Sequence, residues 1–153
     1  DGTLNVSLTE CPHLEKIDLK FNPRLCFTID ASSYSNLKHL SIYQCKDIQV
    51  EPWIAMLKEC KQLEYLFMDG RLLPSTNEWL EAVLALKSLK TLILPYLKDG
   101  EDKVNEILNG LENLEKFILK GCGIAPTCLK IPEYWCYQEP TNASLNFKRR
   151  NSS

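Results

Sequence analysis

One spacing of apolar residues recurs five times along this chain, and it constrains the fold more than any other feature. Each copy reads apolar-x-x-apolar-x-x-Leu-x-x-apolar-x-apolar, and the third copy is Leu57, Cys60, Leu63, Leu66 and Met68. The central leucines of the five copies, at steps of 23, 26, 26 and 25 residues, are Leu14, Leu37, Leu63, Leu89 and Leu114. Such a regular period is typical of a stack of similar units in which each unit packs on its neighbours.

The period also predicts the fold class. Units of about 20–29 residues, each with a short strand and a return segment, are typical of leucine-rich repeats. We therefore expect an α/β leucine-rich-repeat solenoid, a horseshoe fragment with parallel strands on the concave side and helices on the convex side. The strands should centre on Ile17, Leu40, Leu66, Leu92 and Phe117, with helices near residues 51–60, 78–86 and 101–111. The return segment at 22–34 is shorter and contains Pro23, which predicts irregular or short helical structure.

The repeats and the tail predict two regions. Residues 1–125 hold about five repeats. We expect them to be N-terminally truncated, because Leu8-x-x-Cys11 resembles the end of a return helix and no polar capping unit precedes it. Residues 126–153 contain three prolines and form either a C-terminal cap or a degenerate sixth repeat with a polar tail. A sixth strand would contain Leu145 and Phe147, which lie 28 residues after Phe117 and Leu119.

Composition and charge exclude several classes of protein. The chain is 44% hydrophobic and 25% charged, which is ordinary for a folded domain. A formal net charge of −2 gives no reason to expect a nucleic acid or a membrane surface as a partner. No apolar run approaches the roughly 20 residues that cross a bilayer. The basic run Lys148, Arg149 and Arg150 is typical of a solvated tail.

A cysteine follows the strand in two of the copies. Cys45 lies three residues after Ile42, and Cys122 lies three residues after Leu119, with an isoleucine soon after each cysteine. This pattern resembles the cysteine-containing subclass of leucine-rich repeats, found especially in F-box proteins that select substrates for ubiquitin ligases. The resemblance covers residues 4–124, and the third and fourth copies depart from it. It implies a module that holds a target protein, with a ubiquitin-ligase adaptor bound through an F-box that is missing from this chain.

Two other classes of repeat protein remain open: the sensor region of an intracellular immune receptor, and an extracellular adhesion or receptor ectodomain. Four of the seven cysteines occupy repeat positions. An odd count without a pairing pattern predicts reduced thiols in the cytoplasm or nucleus. The extracellular alternative is favoured by glycosylation sequons at Asn5, Asn142 and Asn151, with Cys128 and Cys136 as a candidate disulfide.

The sequence shows no arrangement of residues that predicts catalysis. His13 and His39 have no neighbouring nucleophile or acid at a recognisable spacing. Cys128 and Cys136 match no zinc-ligand spacing. We therefore expect a protein that is not an enzyme and that holds no metal or cofactor.

The predicted binding site lies on the concave face. Alternation along a strand places the residue between the last two apolar positions outside the core. Because neighbouring strands lie about 4.8 Å apart, the outward residues of successive strands should form a continuous apolar and aromatic patch. We expect a protein target to bind this patch through Tyr43, Tyr65, Phe67, Ile93 and Ile118. The alternatives are that Ile and Phe merely favour strands, or that a terminal segment covers the patch.

A second row of residues bears on register alone. The residue after each central leucine alternates in charge along the five copies: Glu15, Lys38, Glu64, Lys90 and Glu115. Parallel stacking in register would bring opposite charges side by side at each step. Exposed ion pairs contribute little to stability, so we assign this row no binding function.

Overall fold

The computed structural model describes residues 4–7, 11–21, 25–28, 34–45, 49–98, 100–138 and 144–150, with the backbone alone described at 4–7 and 25–28. Leu8 and Ala31, which open the first two copies, lie outside these ranges. The strands are β1 (Leu4–Ser7), β2 (Lys16–Lys20), β3 (Leu25–Thr28), β4 (His39–Tyr43), β5 (Tyr65–Met68), β6 (Thr91–Pro95), β7 (Lys116–Lys120), β8 (Trp135–Gln138) and β9 (Ser144–Arg149). The helices are α1 (Val50–Glu59), α2 (Glu78–Leu84) and α3 (Glu101–Gly110), with short 3₁₀ helices at Gly70–Leu72 and Pro126–Cys128.

Seven of these strands form one sheet, in the order β2-β4-β5-β6-β7-β9-β8. The first five are parallel neighbours in chain order. Their register aligns one residue from each strand: Ile17, Leu40, Leu66, Leu92 and Phe117. The predicted parallel strands and their centres are thereby confirmed. The described part of the chain is an α/β protein with a mostly parallel sheet and three helices.

A turn with the same hydrogen bond precedes each of the five parallel strands. The backbone N–H of the central leucine donates to the carbonyl oxygen of the residue three positions earlier, at N···O distances between 3.0 and 3.3 Å. The donors are Leu14, Leu37, Leu63, Leu89 and Leu114. Because the bond recurs at the same place, the chain enters the sheet in the same way in every copy.

The alternating charges meet as the register requires. Lys38 Nζ lies 2.9 Å from Glu15 Oε1, and Lys90 Nζ lies 3.0 Å from Glu64 Oε2. The hydrogen bond to Glu64 raises the pKa of Lys90, and the charge of Glu115 adds to the shift. All four side chains of the two pairs are about half exposed or more. These pairs therefore mark the register without holding the sheet together.

One hydrophobic cluster joins the inner face of the sheet to the three helices. Trp53 and Leu57 lie four residues apart on one face of α1, as Val104 and Leu108 do on α3, and all four are buried. α1 packs beside α2, and α2 beside α3. The three helices lie where the sequence predicted them. Among the residues described above, no helix combines the length and the apolar character needed to cross a bilayer.

The cysteines that follow the strands connect consecutive copies. Cys45 Sγ donates to the carbonyl oxygen of Leu19 at 3.3 Å, and Cys122 Sγ donates to that of Leu94 at 3.5 Å. In both cases the acceptor lies on the strand of the preceding copy. Cys45 and Cys60 are fully buried, which confirms the expectation for these two thiols.

The first two return segments differ from the prediction. A return helix that ended at Leu8-x-x-Cys11 would include the residues just before Leu8, but these form β1, and residues 8–10 lie outside the described ranges. β3 occupies the segment that we expected to be irregular or helical. The two strands pair in parallel as a separate sheet, with Val6 opposite Phe27. Val, Phe and Thr favour strands, and two equivalent segments can satisfy each other's backbone hydrogen bonds. Strand preference at these positions outweighed the pattern that suggested a helix.

The C-terminal region adds two antiparallel strands. The predicted sixth strand is present as β9, but it runs antiparallel to β7, with Phe147 opposite Phe117. β8 in turn pairs antiparallel with β9. β8 thus runs in the same direction as β7. The five residues 139–143 that follow it are too few for the crossover of a dozen or more residues that a parallel neighbour of β8 needs, so the chain turns back and β9 runs antiparallel. Trp135 and Phe147 are buried and extend the core beyond β7.

Candidate protein-binding surface

Residues that alternate with the core residues point to the other side of the seven-stranded sheet, which we call the outward face. From the parallel strands it comprises Lys16, Asp18, Lys20, His39, Ser41, Tyr43, Tyr65, Phe67, Thr91, Ile93, Pro95, Lys116, Ile118 and Lys120. β9 adds Ser144, Asn146 and Lys148, which are the register partners of the β7 residues. All five predicted binding residues therefore lie on one face, with Phe67, Ile93 and Ile118 side by side on three adjacent strands.

The predicted binding residues are less exposed than the sequence suggested. Four are half-buried: Tyr43, Tyr65, Phe67 and Ile93. Ile118 is buried, with 8% of its surface exposed. β9 pairs with β7 and places Asn146 opposite Ile118, so this side chain is flanked on both sides. Ile118 is therefore shielded from solvent, and the accessible part of the predicted patch lies on β4, β5 and β6.

The aromatic side chains of the outward face contact one another across neighbouring strands. The ring centroids of Tyr43 and Phe67 lie 5.1 Å apart, and Phe21 meets Tyr43 edge-on at 5.5 Å. Tyr65 stacks on His39 at 4.2 Å, with 2° between the ring planes. Burial lowers the pKa of His39 from its usual value of 6.5, and the charge of the neighbouring Lys16 adds to the shift. Each of these rings therefore packs against another ring of the same face.

Two exposed aromatic residues at strand exits escaped the sequence analysis. Phe21 directly follows β2 and is 65% exposed, while Tyr96 directly follows β6 and is 36% exposed. Both have positive φ, at 58° and 59°, as does Gln44 directly after β4, at 54°. Bulky residues adopt this backbone region at an energetic cost. Apolar periodicity could not identify Phe21 and Tyr96, because they lie outside the repeated apolar spacing. What the two residues share is their position directly after a strand.

Arg71 connects Tyr96 to the carboxyl end of β5. The central guanidinium carbon lies 4.4 Å from the centroid of the Tyr96 ring. Arg71 also donates to both carboxylate oxygens of Asp69, at 2.9 and 2.6 Å, and Asp69 is buried. A hydrogen bond with the Tyr96 side chain raises the pKa of Tyr43, and burial adds to the shift. Arg71 and Tyr96 thus extend the aromatic patch past the strand ends.

Other arrangements in the described residues offer little chemistry. Within those residues, no group of three or more His, Cys, Asp or Glu side chains could hold a metal ion. Burial raises the pKa of the Cys60 thiol to about 12, which keeps it protonated at neutral pH. A groove of about 190 Å³ beside the first 3₁₀ helix is lined in part by Arg71, Trp79, Lys98 and Lys103. It contains cations but no nucleophile paired with a base.

Comparison with known proteins leaves this surface to be interpreted from its own geometry. No family model matches the chain, and no curated protein or solved structure gives a significant match.

Proposed function

We propose that this chain is part of a leucine-rich-repeat solenoid that binds a protein through its outward face. The solenoid is supported by five parallel strands in constant register and by the identical turn bond before each strand. It is also supported by the three helices, which return the chain between β4 and β7. In such a solenoid the outward face is the concave side, and the helices form the convex side.

The observation that carries the binding role is the ordered aromatic patch. Tyr43, Tyr65 and Phe67 are only half-buried, although strand alternation gives them no core to fill. Phe21 and Tyr96 extend the patch with more exposed rings. Aromatic residues are enriched at protein interfaces, where a few of them supply most of the binding energy. The patch therefore suits a protein target, with Ile93 and the buried Ile118 as its aliphatic side.

Within this class we propose the substrate-recognition part of an F-box-type ubiquitin ligase. The bonds from Cys45 to Leu19 and from Cys122 to Leu94 support it, because they give the cysteine pattern a structural role between consecutive copies. The chain acts by positioning a target and contributes no catalytic residue. An F-box outside these 153 residues binds the ligase adaptor, and the protein works in the cytoplasm or nucleus.

Phe67→Asp tests the binding role. A carboxylate at the centre of the patch should cost about 2 kcal/mol or more of binding energy, because central interface aromatics contribute that much. Quantitative affinity capture from cell extract, with proteins counted by mass spectrometry, should show one partner lost at least about tenfold. Circular dichroism and the thermal midpoint should stay near the wild-type values, because Phe67 lies outside the core cluster.

Lys90→Glu is the matched control for that experiment. Like Phe67→Asp, this substitution introduces a carboxylate next to β5 and β6. Lys90, however, lies in the exposed row of alternating charges and not on the aromatic patch. Capture of the partner should be almost unchanged. Normal capture by Phe67→Asp, or a loss of capture matched by a loss of folded structure, would contradict the proposal.

For the ligase role, the full-length protein should copurify with a ubiquitin-ligase adaptor.

A further inference from the structure

The outward face carries a charge opposite in sign to that of the whole chain. The chain has a formal net charge of −2. The outward positions of the strands carry five lysines, and Arg71 lies beside them just past β5: Lys16, Lys20, Lys116, Lys120, Lys148 and Arg71. In the described part of the chain two aspartates oppose them, and both already have a partner. Asp18 lies 3.3 Å from Lys20, and Asp69 lies 2.6 Å from Arg71.

Two of these lysines lie directly opposite each other. Lys116 of β7 and Lys148 of β9 are register partners in the antiparallel pair, and both are exposed. Side chains in this position lie on the same side of the sheet, and like charges there destabilise the pair. Among the residues that the structure describes, none forms an ion pair with Lys116, Lys120 or Lys148. The described residues therefore bring these positive charges together with no carboxylate in ion-pair contact.

The lysines also lie around the apolar strip formed by Phe67, Ile93 and Ile118. Lys116 and Lys120 flank Ile118 along β7, and Lys16 and Lys20 lie at the same levels on β2. Between them run Phe67 and Ile93, in register with Ile118. The surface therefore combines an apolar centre with positive charge along both edges and at the β9 end.

We propose that the partner of this face is an acidic polypeptide, with carboxylates on both sides of a short apolar stretch. The inference rests on the proposed protein-binding function and names its partner class. Apolar side chains of the partner cover Phe67 and Ile93, and a carboxylate enters between Lys116 and Lys148. Charge complementarity of this kind speeds association and excludes partners of the wrong sign.

The ring contacts favour a polypeptide over a single-stranded nucleic acid. Base stacking needs free aromatic faces along the path of the strand. Here Tyr65 and His39 stack on each other, and Lys20 lies over the Phe67 ring at 5.6 Å. Arg71 covers a face of Tyr96. The aliphatic strip at Ile93 and Ile118 offers no ring to a base, whereas it suits leucine or valine side chains.

The test uses labelled short peptides and fluorescence anisotropy at low and high salt. One peptide alternates Glu with Leu, a second alternates Lys with Leu, a third alternates Glu with Ser, and a single-stranded oligouridine of similar length is the fourth probe. The Glu/Leu peptide should bind about tenfold or more tightly than the other three probes, and salt should weaken it. Tighter binding of the Lys/Leu peptide or of the oligouridine overturns the proposal.

Lys148→Glu makes the test independent of folding. The change replaces a like-charge pair with an opposite pair beside Lys116, so the sheet should keep or gain stability. Binding of the Glu/Leu peptide should nevertheless fall about fivefold or more. Lys58→Glu, the same change at an exposed position of α1, is the matched control and should bind as the wild type does. If both variants bind equally, the acidic partner is excluded. Loss of the cellular partner by Phe67→Asp would then still support protein binding by the outward face.

Discussion

The two faces of the same five strands follow different rules. On the core face, the aligned residues Leu40, Leu66 and Leu92 are chemically alike and fully buried. On the outward face, the aligned residues differ at almost every strand: Asp18, Ser41, Phe67, Ile93 and Ile118. Close packing in the core constrains the first set, while the second set lies on the other side of the sheet and is free of that constraint. The repeated residues therefore specify the fold, and the residues between them are free to give the surface its own character.

The outward face is itself divided. Ser41 is fully buried between larger neighbours, although it lies outside the core cluster, and Ile118 is buried beside β9. Asp69, just past β5, is buried and held by Arg71. These three positions serve the structure, whereas the half-buried rings of β4 and β5 remain available to a partner. Position on the outward face therefore does not by itself make a side chain accessible.

The rates of thiol labelling should show the largest difference between an interior residue and a surface residue. Cys60 is buried with its pKa raised to about 12, whereas Cys128 is exposed. Because the thiolate is the reactive form, Cys60 should react about a thousandfold or more slowly than Cys128 at mildly alkaline pH. Alkylation followed by peptide mass analysis measures both rates, and unfolding should remove the difference. Equal native rates would place Cys60 at the surface.

Leu66→Ala and Thr91→Ala compare the two faces by stability. Leu66 is fully buried at the centre of the sheet, so its truncation should cost about 2–5 kcal/mol of unfolding free energy. Thr91 is half-buried on the outward face, and its replacement should change stability by no more than about 0.5 kcal/mol. Urea denaturation monitored by circular dichroism measures both. Similar midpoints for the two variants would show that the inward and outward faces are assigned wrongly.

Lys90→Glu should give the smallest effect of the series. The substitution places a carboxylate beside Glu64 and near Glu115, in a row that is open to solvent. The denaturation midpoint should fall slightly at low salt, and the difference from wild type should disappear at high salt because ions screen exposed charges. A large loss of stability that persists at high salt would mean that the row holds the sheet together.

The sequence predicted the parallel strands and their register because packing repeats. Leu40, Leu66 and Leu92 fill equivalent places, so the same apolar spacing returns in each copy. The row of alternating charges predicted the same register independently. The ion pairs that Lys38 and Lys90 form with the glutamates of the preceding copies agree with that register. Periodic signals of this kind are sufficient wherever neighbouring copies impose the same environment.

The positions that the sequence missed have environments that occur once or depend on distant segments. β8 runs in the same direction as β7, and its short connection to β9 reverses the chain, so β9 is antiparallel to both. Phe147 fits the apolar pattern in either strand direction. Phe21 and Tyr96 were not selected because the left-handed backbone at a strand exit is invisible in apolar spacing. The burial of Ile118 depends on β9, a strand whose place in the sheet could not be deduced from the repeats.

The chain order of the parallel strands has a mechanical consequence. Hydrogen bonds between neighbouring strands run across the sheet, from β2 towards β7. A pull on one end of the edge strand in that direction loads the hydrogen bonds of its pair one after another, so the sheet should open from its edge at low force. Tension along the strands loads all the bonds of a pair together and meets greater resistance. Because each unit contacts only the units next to it in the chain, the opening of one unit should have little effect on units that are not its neighbours.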